Sequence, residues 1–130
     1  MRNYQEFFTL KGQTLIDIKG LSEDTEEVTF VTDQNKYNLV HIQDCCENVR
    51  LIKYFGVPTA ILNSKIIVAE EDGGACDPPW YKERYYESHT YVSHTWSHYR
   101  IVTENGNSLD LWFLGESNGY YGEGMSFIAV

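Results

Sequence analysis

Apolar and polar residues alternate with a period of two along most of the chain, the pattern of strands that bury one face. Thr14 to Lys19 is short, β-branched and closed by Gly20, and in Glu27 to Thr32 the apolar Val28 and Phe30 alternate with Glu27 and Thr29. Asp33-Gln34-Asn35 has the composition of a hairpin turn into Lys36 to Ile42, where Tyr37, Leu39 and His41 share one side. Val49 to Tyr54 continues the alternation, so these four segments are expected to form a meander. Pro58 to Leu62 fits a single apolar helical turn. Lys65 to Ala69 carries Ile66, Ile67 and Val68 in succession, as in a strand covered on both sides, and is ended by Glu70-Glu71-Asp72. In His89 to Thr103, His94, Trp96, His98 and Arg100 fall on one face and Thr95, Ser97, Tyr99 and Ile101 on the other. Asn105-Gly106 then turns the chain into Ser108 to Leu114, and Met125 to Val130 is the last strand. The expected fold is mainly β, with a β-rich α+β arrangement as the variant: a single antiparallel sheet, a small β-sandwich or a partly open barrel, with one or two short helical turns.

At 130 residues the chain has the length of a single domain, 1–130. A long connection at about 72–88 holds Gly73-Gly74 and Pro78-Pro79 together with Trp80, Tyr81, Tyr85 and Tyr86. Rings in such a loop gain most by packing on a partner or on the protein's own sheet. No run approaches the roughly 18 apolar residues of a membrane span, and Met1 to Glu6 lacks the apolar core of a secretion signal. A cytoplasmic protein without membrane contact is expected. Cys45, Cys46 and Cys76 are odd in number and two are neighbours, which fits reduced thiols. With 19 Asp and Glu against 10 Lys and Arg, the formal net charge is −9. Such a surface repels phosphate backbones, disfavours direct nucleic-acid binding and suits a basic partner.

The densest group of reactive side chains is His41-Ile42-Gln43-Asp44-Cys45-Cys46-Glu47. Zinc would find nitrogen and sulfur ligands there, but the paired C-x-x-C spacing is missing. His94 and His98, four apart on a strand, are separated by about 13 Å, too far to share an ion. A Cys-His nucleophile is disfavoured because Asp44 and Glu47 raise a neighbouring thiol's pKa. No nucleotide-binding fingerprint occurs. No catalytic residue, metal or cofactor is therefore expected.

The spacing H-x-x-D-C-C-E at His41 to Glu47, Ala69-Glu70-Glu71, the aromatic strand with Thr95-Trp96 and Tyr99, and Gly115-Glu116-Ser117-Asn118-Gly119-Tyr120-Tyr121 together resemble an uncharacterised family of small phage and prophage proteins. The likeness runs from about Lys11 to Phe127. The chain departs from the family's pattern at Gly56-Val57-Pro58-Thr59, in place of a more acidic helical turn, and at the apolar end Ile128-Ala129-Val130. The resemblance implies a phage-type accessory protein that binds and blocks a host component, with a possible anti-defence role. The contact surface expected from charge and aromatic content is Glu70, Glu71, Asp72, Trp80, Tyr81, Tyr85 and Tyr86. The alternative is a pocket that sequesters a small polar or nucleotide-derived ligand, formed by His41, Asp44, Cys45, Cys46, Glu47, Trp96, Asn118 and Tyr120. A metal- or thiol-dependent hydrolase is a third class.

Overall fold

The alternating segments become strands of one nine-stranded antiparallel sheet in a computed structural model that describes residues 2–81 and 92–130. β1 (Asn3–Tyr4) precedes a 3-10 turn, Phe7–Leu10; β2 (Thr14–Lys19), β3 (Glu27–Thr32), β4 (Lys36–Val40) and β5 (Asn48–Phe55) follow. A second 3-10 turn, Pro58–Ile61, leads into β6 (Ser64–Gly74), and β7 (Ser93–Thr103), β8 (Ser108–Ser117) and β9 (Ser126–Ala129) complete the chain. The strand order is β1-β9-β4-β3-β2-β6-β7-β8-β5. The sequence-based expectation of a mainly β, single antiparallel sheet with short helical turns holds; the turn at Phe7–Leu10 and the two-residue β1 were not among the expected elements. Among the described residues no helix is long and apolar enough to cross a membrane.

The expected four-strand meander stops at three. β2, β3 and β4 pair in succession, and the β3–β4 turn is tied by Thr32 Oγ1, which accepts the N–H groups of Gln34 and Asn35. The free side of β4 goes to β9, whose Phe127 stacks on Tyr37 with ring centroids 4.9 Å apart. β5 crosses to the far edge and pairs with β8. The halves join where Thr14 and Leu15 of β2 meet Lys65 and Ser64 of β6. One apolar cluster fills the space between them, drawing Leu15, Phe30 and Leu39 from one half and Leu51, Ile101, Leu111 and Phe113 from the other. Phe7 bridges both, with its ring against Phe30, Phe127 and Tyr99.

β6 runs five residues past its expected end at Ala69, because Glu70, Glu71 and Asp72 pair with Arg100, Tyr99 and His98 of β7 instead of ending the strand. Gly73-Gly74, which suggested a loop, continues it. At Gly73 (φ 155°) a Cβ would fall 2.0 Å from the carbonyl oxygen of Trp96, so only glycine lets the two strands approach there.

Candidate functional site

The β4–β5 connection is folded around one carboxylate. Glu47 accepts the backbone N–H groups of Asp44 (2.9 Å) and Cys45 (2.8 Å), the Gln43 side-chain amide (3.3 Å) and the His41 ring Nε2 (2.9 Å). His41 Nδ1 lies 2.7 Å from the carbonyl oxygen of Gly124. Desolvation raises the Glu47 pKa, but the N–H groups of Cys45, Glu47 itself and Asp44, with His41, outweigh it and lower the pKa to about 2. The folded value lies below the ordinary 4.5, so the turn's contribution to stability is complete above about pH 4.5 and is lost as pH falls through about 2. Glu47→Gln should abolish that acid-dependent component. Unfolding free energies measured between pH 6 and pH 2 check this, and an unchanged pH profile in the variant would refute it.

The second motif closes on the first. Asn48 is paired with Glu116 across β5 and β8, and the buried Glu116 carboxylate takes an ion pair from Arg50 at 2.5 Å. Its Oε2 has no hydrogen-bond partner among the described residues. Glu123, in the connection to β9, accepts from Thr95 Oγ1 at 2.8 Å and from Ser117 Oγ. Its main chain lies over Gly115, where a Cβ would meet the Glu123 carbonyl oxygen at 2.0 Å. One end of the sheet therefore holds Glu47, Glu116 and Glu123, each buried and each partnered. A cleft of about 320 Å³ opens beside this end, lined by His41, Gln43, Asp44, Glu47 and Gly122 among others. Sequence reasoning missed Arg50 and Glu123. Each is a lone charge in an unremarkable segment, and only the β5–β8 pairing and the return of the chain after Gly119 give them partners.

A second group lies on the face of β6, β7 and β8 turned away from the core. His98 presents Nδ1 to Asp72 (2.9 Å) and Nε2 to Asp110 (2.7 Å), with its ring stacked on Trp112 at 4.0 Å. Trp96 donates Nε1–H to Asp77 (2.9 Å) and meets Trp80, Tyr81 and Trp112 edge to face. Trp80 also packs on Phe55. Trp80 and Tyr81 thus cover their own sheet and are half-buried. Glu70, Glu71 and Asp72 are exposed along β6. Burial and then the Glu71 carboxylate raise the pKa of the Tyr99 hydroxyl, which keeps it a donor toward Glu71. Two clefts meet at Asp72: one of about 310 Å³ with Glu70, His98 and Arg100, and one of about 370 Å³ with Gly73, Pro78, Trp96 and Trp112.

Of the expected contact residues, Glu70, Asp72, Trp80 and Tyr81 therefore fall on neighbouring parts of one face, Glu71 projects on the other, Tyr99 face of β6, and Tyr85 and Tyr86 lie outside the described residues. The expected ligand pocket is divided. His41, Asp44, Cys45, Cys46 and Glu47 form the turn, Trp96 belongs to the aromatic cluster, and Tyr120 is 87 % exposed. Asn118 accepts the N–H of Tyr120 within its own turn. The expectation of two thiols at Cys45 and Cys46 is corrected: they are joined as a disulfide between neighbours, and Cys76 is free and exposed. The reducing-compartment argument took no account of the local turn, in which Glu47 accepts the N–H groups of Asp44 and Cys45. His94 and His98 go to different carboxylates, Asp77 at 3.5 Å and the Asp72–Asp110 pair. Among the described residues no group of three or more His, Cys, Asp or Glu could hold a metal ion.

Neither a curated protein nor a solved structure matches this chain. A family model does, over residues 9–127, nearly the whole length: the chain belongs to the family described as a domain of unknown function, DUF7448.

Proposed function

We propose that this protein works without catalysis, by binding and blocking a basic protein through the acidic stretch of β6 and the aromatic segment beside it. The observation that carries this reading is that Asp72 lines both a polar and an aromatic cleft, so charge and apolar area are contiguous on one surface. Such a combination gives a partner both steering and packing. The resemblance to phage and prophage proteins makes the partner a host protein, the setting the host cytoplasm and the role one of anti-defence. Sequestration of a small polar ligand is less well supported, because His41 and Glu47 spend their polar atoms on each other and on the turn, and Trp96 lies in the other cluster. A hydrolase would need a free imidazole or thiol at that turn, where the His41 ring and the Cys45 and Cys46 sulfurs are already bonded.

Neutralising the acidic stretch, with Glu70→Gln, Glu71→Gln and Asp72→Asn together, should slow association with the host partner by about tenfold at low salt and flatten its salt dependence. Stopped-flow or surface-based rate measurements against the partner purified from a host lysate check this. An unchanged association rate at every ionic strength would exclude this surface as the contact.

A further inference from the structure

The two sides of β6 differ. One side pairs with β7 from Ile66 to Gly74. The other pairs with β2 only at Ser64 and Lys65, and the main chain of Ile66 is taken by Gly12 and Gln13. Among the described residues no strand lies beside Ile67 to Gly74 on that outer side. In an antiparallel strand alternate residues turn both N–H and C=O to the same side, so about four residues of this stretch offer a donor and acceptor that pair with no other strand among the described residues.

The side chains on this edge decide what can use it. Glu70 and Asp72 project on the His98 face and Glu71 on the Tyr99 face, so both faces of the edge are acidic. A second copy of this chain, paired antiparallel about Glu71, would set carboxylate directly against carboxylate, which is destabilising. A segment carrying Lys or Arg meets complementary charge on whichever face its side chains fall. Apolar contact is available at one end, where Ile67 is 44 % exposed and Phe8, on the 3-10 turn packed against β6, is 64 % exposed. We propose that the outer edge of β6, from Ile67 to Gly74, takes an extended basic segment of a partner protein as an added strand. Main-chain hydrogen bonds supply affinity in this mode and alternate side chains supply selectivity. The inference rests on the reading above that acidic β6 is the contact surface, and it specifies how that contact is made.

The probe is an end-capped eight-residue peptide of alternating Lys and Val, with a further version N-methylated on every residue. Either edge of such a strand can face the acidic β6, and only methylation along both edges removes the donors from each. The parent peptide is expected to bind and the methylated version to lose at least tenfold in affinity. Amide shifts and slowed hydrogen exchange should concentrate on residues 67 to 74. Equal binding by the two peptides would overturn strand addition while leaving an acidic contact surface standing. Amide shifts centred away from β6, or no binding at millimolar peptide and low salt, would overturn both. Concentration-dependent dimerisation that protects the same amides would replace the proposed partner by a second copy.

Discussion

Trp96→Ala is expected to lower the free energy of unfolding by about 3–5 kcal/mol, the range for truncating a fully buried tryptophan. Trp96 is only 1 % exposed although it lies on the outer face of β7, because Trp80, Tyr81 and Trp112 surround it. Removing the indole opens a void among three rings and leaves Asp77 without its Nε1–H donor. Trp80→Ala should act in the same direction, since its ring packs on Phe55, Trp96 and Trp112. Urea unfolding of both variants checks this, and a loss below about 1 kcal/mol for Trp96→Ala would contradict the packing argument. The consequence for binding studies is direct. Substitutions in the aromatic segment change folding and contact together, so the acidic residues are the cleaner probes of the interface.

Arg50→Met is expected to cost about 3 kcal/mol or more, because it strands the Glu116 carboxylate in a buried position. The Glu116 side chain is 3 % exposed and Arg50 is its ion-pair partner. Its second oxygen already lacks a hydrogen bond among the described residues, so nothing nearby is in place to compensate. Adding Glu116→Gln to Arg50→Met should restore most of the loss, since the uncompensated charge is then gone. A double-mutant cycle by denaturant unfolding measures this coupling. If the double variant were no more stable than Arg50→Met alone, the cost would lie in packing of the arginine stem and not in the buried charge.

What the sequence disclosed is local. Strict alternation at Glu27–Thr32 and the short β-branched run at Thr14–Lys19 mark β3 and β2 at their observed bounds, because a half-buried strand writes its burial directly into its residues. The face assignment in β7 holds for the same reason, with Tyr99 and Ile101 in the core and Trp96 and His98 on the other side. The end of β6 was hidden because consecutive acidic residues and paired glycines have turn composition, and only the partner strand makes them a strand. In the candidate site, the clustering of His41 with Glu47 was visible. The contact of His41 with Gly124, 83 residues away, and the covering of Gly115 by Glu123 depend on which strands become neighbours, and short-range periodicity does not encode that.

The crossing of β5 to the far edge also sets an order of events in folding. β2, β3 and β4 can pair as they are made, each with its sequence neighbour. β5 cannot: its partner β8 joins Asn48 to Glu116, and closing so long a loop costs chain entropy before any contact repays it. Until β8 has been synthesised, Val49 and Leu51 remain on a strand without a ladder, and the Asp24–Leu51 and Leu51–Thr25 main-chain bonds are the contacts within reach. On the ribosome, β5 therefore waits for β8, and the half that holds β2, β3 and β4 is completed last, when β9 reaches β4 and β1.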